Sequence, residues 1–255
     1  MIKVGADPEF FLQNTEGKLI SAVGLIGGNK QFPKEITEVG HAIQEDNVAF
    51  EFNIPPSDSA REFVEHLNYV LSHLEHKIKP LQLKFAKGIA SASFPEDQLM
   101  SAEAQVFGCE PDMNAWTRKQ NPRPLSLDYT LRSCGGHVHI GAPMKDVAAV
   151  MRRCDLFLAV PSVLMDRGQL RKQLYGKAGA FRPKSYGGEY RVLSNFWVFS
   201  PDTVKWVFRN TQLALDAEHL NVEEEQQTII DAINNNNVEA AKFLINKYSI
   251  PVLHA

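Results

Sequence analysis

The chain opens on apolar runs broken by polar turns. Phe10-Phe11-Leu12, a turn at Asn14-Thr15-Glu16-Gly17 and Leu19-Ile20-Ser21-Ala22-Val23 predict a β-hairpin. A loop containing Gly27-Gly28-Asn29-Lys30 leads to the run from Asn47 to Ile54. That run alternates, with Glu51 and Asn53 on one face and Phe50 and Phe52 on the other, and Pro55-Pro56 stop it. The period then changes from that of a strand to that of a helix. Ser59-Ala60-Arg61-Glu62 has capping-box spacing, and Phe63, Val64, Leu67, Val70, Leu71, Leu74 and Ile78 recur at helical intervals before Pro80. An apolar stripe of that width packs a helix onto a sheet. A second helix is predicted from Val147 to Leu158, apolar nearly all round towards its end and therefore buried.

Gly135 to Gly141 and Glu189 to Leu193 read as strands, and Thr203 to Leu215 as a helix behind Ser200-Pro201-Asp202. Two further helices are expected, Val222 to Ile233 and Val238 to Tyr248, the second started by Asn236 and Glu239. Strands and helices mix without regular alternation, which predicts an α+β fold with a largely antiparallel sheet. Residues 216–255 carry little chemistry and read as an accessory helical segment behind a main domain of residues 1–215.

Composition narrows the class. The 255 residues are 44% hydrophobic and 22% charged, with 16 glycines, which excludes a disordered or collagen-like chain. Lys plus Arg number 27 against 30 Asp plus Glu, and a net charge of −3 gives no global field to hold nucleic acid. Cys109, Cys134 and Cys154 are isolated and form no CxxC pair, which argues against a cysteine zinc site or a disulfide framework. The N-terminus, Met1 to Asp7, places charges where a signal peptide needs an apolar core. The most apolar stretch, Leu156 to Met165, is broken by Pro161 and falls short of the roughly 20 residues that span a bilayer. A cytoplasmic protein with no membrane partner is expected.

Four polar motifs share a spacing of two: Asp7-Pro8-Glu9, Glu51-Phe52-Asn53, His137-Val138-His139 and Glu189-Tyr190-Arg191. In a strand, positions i and i+2 project from the same face, so each motif delivers two polar groups to one side. Taken singly, each also fits a solvated sheet face, and Pro8 favours an edge or a bulge. Their coincidence points further, because several strands presenting carboxylates and imidazoles together suit Mg²⁺ or Mn²⁺.

A local charge reversal adds to this. Between Asp166 and Glu189 there is no acidic residue, but there are Arg167, Arg171, Lys172, Lys177, Arg182 and Lys184 among Gly168, Gly176, Gly179, Gly187 and Gly188. Guanidinium groups pair with phosphate oxygens in fork geometry, and glycines let backbone amides approach an anion. A mobile basic loop, or a nucleic-acid patch using Tyr175, Phe181 and Tyr186, has the same composition. An acidic face beside a basic glycine-rich loop predicts a metal–polyphosphate site. GxxxxGK[ST], GxGxxG after a strand, GxSxG and HExxH are all absent. Cys134 reads as a buried small hydrophobe.

In order along the chain, Asp7-x-Glu9, Glu45 to Asn53, Gly135-Gly136-His137-Val138-His139-Ile140-Gly141 and Arg182-Pro183 ahead of Glu189-Tyr190-Arg191 resemble the glutamine-synthetase and glutamate–cysteine-ligase superfamily. Gly5-Ala6-Asp7-Pro8-Glu9-Phe10, Phe107-Gly108-Cys109 and Tyr175-Gly176-Lys177-Ala178-Gly179 are most similar to its compact phage-type amidoligases. The resemblance, over residues 1–200, implies an antiparallel sheet curved into a catalytic funnel, with helices packed on its outer face. It implies that Asp7, Glu9, Glu51, His137 and Glu189 bind Mg²⁺, with Asp46 beside Glu51. His139 would contact the nucleotide, Arg182 a phosphate, and Arg191 the phosphoryl group in transfer. Lys30, Lys177 and Lys184 are further candidates for the nucleotide phosphates. The family's first motif usually lacks the proline found here, and the classical ligases carry substrate-binding insertions that this chain does not.

The implied activity is ATP-dependent joining of a carboxylate to an amine through an acyl phosphate. The substrates would be small molecules or peptides, and the setting would be host cytoplasm for a phage-encoded protein. Competing readings are a metal-dependent hydrolase on the same acidic face, or a non-enzymatic anion- or nucleic-acid-binding module on residues 167–188.

Overall fold

A computed structural model describes residues 2–106, 111–123, 126, 128–166, 168 and 170–253. Its main sheet has eight strands: β1 (Lys3–Phe10), β2 (Lys34–Glu35), β3 (Ala42–Asp46), β4 (Ala49–Asn53), β5 (Met113–Asn114), β6 (Gly136–Gly141), β7 (Ala180–Lys184) and β8 (Gly187–Tyr190). Their spatial order is β2-β3-β4-β1-β6-β8-β7-β5, with antiparallel neighbours throughout. The sheet is open, with β2 and β5 at its edges, and is not a closed barrel. The mixed architecture with antiparallel sheets is the one expected from the sequence.

Register decides what shares a face. Asp7 lies opposite His137, Glu9 opposite Glu51, and Glu51 opposite Gln44. His139 lies opposite Glu189, which in turn lies opposite Arg182. The alternate positions Val4, Ala6, Phe10, Phe50, Phe52, Val138, Ile140 and Tyr190 are buried on the other face.

Helices cover that apolar face. Ala60–Ile78 starts at Ser59, whose hydroxyl accepts from Glu62 N, and buries Phe63, Leu67, Val70, Leu74 and Ile78. Phe63 stacks on Trp197 at 5.8 Å, and Phe10 lies 5.3 Å from Phe50. Pro201–Asp216 buries Val204, Trp206, Val207 and Phe208 in the same cluster. Ile229, Ile233, Leu244 and Ile245 of the two C-terminal helices also join it. Asn234 Oδ1 accepts from Ala178 N at 2.8 Å, tying this tail to the basic segment.

Several local features differ from the sequence reading. The α-helix from Val147 ends at Cys154, and Asp155–Ala159 form a π-helical turn before Pro161. Pro161 lacks an N–H to continue the regular ladder. The expected helix at Val222 begins as a 3₁₀ turn and becomes α-helical at Gln226–Asn234. The last helix, Val238–Tyr248, is capped by Asn237, whose Oδ1 accepts from Ala240 N, and not by Asn236, which adopts φ 51. β8 ends at Tyr190, so Arg191 stands just past the strand. Among the described residues no helix is long and apolar enough to cross a membrane.

Candidate functional site

The polar face of β3, β4, β1, β6, β8 and β7 gathers the site. At one level β4 supplies Glu51 and β1 supplies Glu9, while Asp46 comes from the end of β3. One carboxylate oxygen from each of these three lies within 4.8 Å of the others. One level along, ligand atoms of Asp7, His139 and Glu189 form a second group with the same spacing. His137 stands between the groups. Its Nδ1 is 3.5 Å from Asp7 Oδ1 and 3.9 Å from Glu189 Oε1, and accepts from Arg191 Nη1 at 3.1 Å.

Backbone geometry fixes these side chains. Gly135 N donates to Glu9 Oε2 at 2.6 Å, and Asn195 Nδ2 donates to the Glu9 carbonyl at 2.7 Å. A Cβ at Gly135 would fall 2.1 Å from His137 Nε2, so only glycine leaves the imidazole its place.

Cations line one wall. Arg191 pairs with Glu189 through Nη1, and its Nε lies 2.8 Å from Asp112 Oδ1. Arg182 Nε lies 3.3 Å from the same oxygen, and Lys184 Nζ lies 2.7 Å from Glu189 Oε2. Lys30 Nζ is 3.7 Å from Asp46 Oδ2. Tyr186 stacks on His139 with ring centroids 6.0 Å apart, and its hydroxyl meets His139 Nδ1.

The two groups differ in charge balance. Burial pushes Glu51 well above the ordinary carboxylate range, and Asp7, Glu9 and Asp46 add to the rise against Lys30. Asp46 is raised too, by burial and then Glu9. In the second group burial acts in the same sense but is outweighed. His139 and His137 hold Asp7 well below its usual value, and Arg191, His137 and Lys184 pull Glu189 down to about 2 against burial and Asp7. Burial lowers His139, but Asp7 and Glu189 raise it further, to a net rise. The net effect thus raises Glu51 and Asp46 in the first group and lowers Asp7 and Glu189 in the second.

Both groups fit a hard divalent cation. The donors are carboxylate oxygens with imidazole nitrogen. Asp7 Oδ1 and His139 Nε2 are buried 3.0 Å apart, yet neither has a hydrogen-bond partner of acceptable geometry among the described residues. Buried polar atoms in that state suit a cation placed between them.

A cleft opens beside the first group, lined by Glu9, Lys30, Asp46, His137, Arg171 and Arg191, together with Asp112, Arg132 and Tyr175. It encloses about 690 Å³, including space open to solvent.

The structure therefore brings together Asp7, Glu9, Asp46, Glu51, His137, His139, Glu189, Arg182, Arg191, Lys184 and Lys30. Lys177 is exposed and does not line the cleft. Cys109, with Phe107 and Gly108, and Arg167 lie outside the described residues. The rest of the basic segment is not a loose loop: Arg171 is buried and donates to the carbonyls of Val192 at 3.0 Å and Arg191 at 3.3 Å. Asp112 and Arg132 line the cleft but belong to no motif of the sequence, whereas Arg171 belongs to its basic segment. Arg132 sits close before the glycine–histidine motif, a signal that could have drawn attention to it. Asp112 belongs to no periodic pattern.

Residues 125–244 match the family model described as Phage phiEco32-like COOH.NH2 ligase-type 2. The chain matches a phage-type carboxylate–amine ligase family. The resemblance read from the ordered motifs is thereby borne out. No curated protein matches the chain. The ligase match contains His137, His139, Arg171, Arg182, Lys184, Glu189 and Arg191, while Asp7, Glu9, Asp46 and Glu51 precede it. β1, hydrogen-bonded between β4 and β6, joins the two sets into one site. A ligase family of that description implies carboxylate and amine substrates.

Proposed function

We propose that the protein is an ATP- and Mg²⁺-dependent carboxylate–amine ligase, its sheet serving as a glutamine-synthetase-like funnel in the cytoplasm. The observation that carries this reading is the pairing of two cation-ready groups, Glu9–Asp46–Glu51 and Asp7–His139–Glu189, on one sheet face beside Arg182 and Arg191. A carboxylate and an ammonium do not condense spontaneously in water, so the acid needs a leaving group. One carboxylate oxygen of the acid attacks the γ-phosphorus of ATP, the bond to the β-phosphate oxygen breaks, and ADP departs from an acyl phosphate. The amine nitrogen then adds to the acyl carbon, inorganic phosphate leaves, and the nitrogen loses a proton as the amide forms.

Divalent cations held by the two groups, with His137 between them, supply neutralisation of the polyphosphate charge. The remaining work belongs to the chain. Arg182 and Arg191, braced on Asp112, present guanidinium N–H groups to the phosphoryl oxygens in transfer. Lys184 and His139 with Tyr186 face the nucleotide from one end, and Lys30 from the other. Arg132, Arg171 and Tyr175 line the cleft where the acid or the amine is oriented.

The test is ADP release from Mg-ATP across a panel of acids and amines. Ligation requires ADP release that depends on both an acid and an amine, yields one phosphate per amide, and disappears in Glu189→Gln and His137→Ala. Metal-dependent cleavage of amides or esters without nucleotide would instead identify a hydrolase.

A further inference from the structure

Residues 24–33 leave the N-terminal hairpin and run along β3 before β2 begins. Asn29 forms a parallel bridge with Glu45, and Glu45 N donates to the Gly28 carbonyl at 3.2 Å. The alternation of β3 sends Gln44 and Asp46 to the site face and Glu45 to the other. There the Glu45 carboxylate turns back on the loop. Its Oε2 accepts from Gly24 N at 2.8 Å, and its Oε1 accepts from Ile26 N at 2.9 Å and Gly27 N at 2.7 Å. Hydrogen bonds from N–H to an ionised acceptor are about twice as strong as neutral ones.

The next residues are equally constrained. Gly28 has φ +76, and a Cβ there would fall 2.5 Å from the Ile43 carbonyl and 2.7 Å from Lys34 N, so the backbone lies directly on β3. Asn29 Oδ1 accepts from Gln31 N at 3.0 Å and Phe32 N at 2.9 Å, closing the turn. Lys30 is carried between these fixed points. It lines the cleft with its Nζ beside Asp46, and its side chain keeps 61% of its exposure.

We infer that Glu45 is a positioning residue: it clamps the 24–29 loop so that Lys30 meets the anionic end of the nucleotide at the Glu9–Asp46–Glu51 group. The identity of the anion rests on the ligase reading; the clamp does not. Glu45 neighbours Asp46 in sequence and has the same charge, yet both of its oxygens are committed to backbone N–H groups on the opposite side of the strand. Its acidity serves the loop, and through the loop the cation.

Two measurements test this. In Glu45→Ala, hydrogen exchange of the peptide spanning residues 24–30 accelerates while peptides from β1 and β6 exchange at the wild-type rate; an unchanged 24–30 peptide overturns the clamp. Mg-ADP titration then decides the connection to Lys30. Lys30→Ala and Glu45→Ala each weaken binding roughly tenfold, and the double variant is no weaker than either alone. A roughly hundredfold loss in the double variant, the product of two independent effects, overturns the positioning role. If the wild-type protein binds no Mg-ADP, the ligase reading and the role given to Lys30 both fall, and the exchange result still decides the clamp. Should Glu45→Ala not fold, Glu45→Gln carries both measurements, because it keeps one oxygen acceptor and turns an amide donor on Gly24 N.

Discussion

Removing a charge from the Glu9–Asp46–Glu51 group exposes what that group is for. Two unit charges 4.8 Å apart, the limit within which its ligand atoms lie, repel by about 3.5 kcal/mol at an effective dielectric constant of about 20. Lys30 offsets part of this, and uptake of a proton by Glu51 offsets more, since burial and its acidic neighbours raise its pKa well above the ordinary value. A net relief of about 1–3 kcal/mol is expected for Glu51→Gln without divalent cation, which at about 2–4 °C per kcal/mol raises the melting temperature by about 2–12 °C. The sign is opposite to the usual effect of altering a buried, ordered residue. Mg²⁺ reverses the ranking. At about 100 times its dissociation constant a ligand stabilises the native state by about 2.7 kcal/mol, a gain the variant loses with its ligand oxygen. Because the folded pKa of Glu51 is raised, the native state holds a proton that the unfolded chain has already released. Stability of the cation-free wild type therefore falls as pH rises from the ordinary glutamate value towards the folded one, and Glu51→Gln lacks that decline. Thermal melts in chelator and in saturating Mg²⁺ across this pH range check all three statements. A variant less stable than wild type in chelator, with an undiminished response to Mg²⁺, would refute the reasoning.

Three other outcomes follow from particular contacts. Arg191→Lys keeps the charge but loses the fork that reaches Glu189, Asp112 and His137, so kcat for ADP release should fall roughly 100- to 1,000-fold; an unchanged kcat removes Arg191 from phosphoryl transfer. Gly135→Ala places a Cβ 2.1 Å from His137 Nε2 and should abolish the Mg²⁺-dependent rise in melting temperature, whereas a wild-type Mg²⁺ response would show that the position of this imidazole is immaterial. Burial pushes Asp155 from the ordinary 3.8 up to about 7 although Tyr190 and Trp116 donate to it. Native protein thus keeps a proton across that window, so its contribution to stability declines from pH 4 to pH 7; urea unfolding should show this decline flattened in Asp155→Asn, and equal slopes would contradict it.

The residues legible in the sequence are those whose partners lie two positions away. Asp7 with Glu9 and His137 with His139 declare a shared face by spacing alone, because strand alternation is local. What crosses between strands is not local. Nothing in the order of motifs states that Glu9 lies opposite Glu51, or that His139 rather than His137 shares the closest group with Asp7 and Glu189. β3 and β7 escaped for a related reason. Ala42-Ile43-Gln44-Glu45-Asp46 has little apolar alternation because one face serves the site and Glu45 serves the loop, and Ala180-Phe181-Arg182-Pro183-Lys184 carries a proline. Strands built for chemistry read like loops. Asp112 was invisible because its place depends on Arg182 and Arg191 arriving from a distant part of the chain.

The division between residues 125–244 and the segment before them bears on where activity can reside. The matched segment contributes the imidazoles, the arginines and Glu189, but only one carboxylate ligand, whereas residues 7–51 contribute Asp7, Glu9, Asp46 and Glu51. The two sets differ in kind: the first is cationic around a single acid, and in the second burial and acidic neighbours push Glu51 and Asp46 up. Their union is enforced by backbone pairing rather than by the charges, since β1 is bonded along its length to β6 and, at its end, to β4. Hydrogen bonding and the burial of Phe10, Phe50 and Phe52 on the far face hold the acids at distances they would not choose in water. The fold supplies the free energy that concentrates negative charge, and a cation bound there, as proposed, would return part of it. A segment comprising only residues 125–244 therefore lacks the acids of the first group and should neither respond to Mg²⁺ as the full chain does nor release ADP.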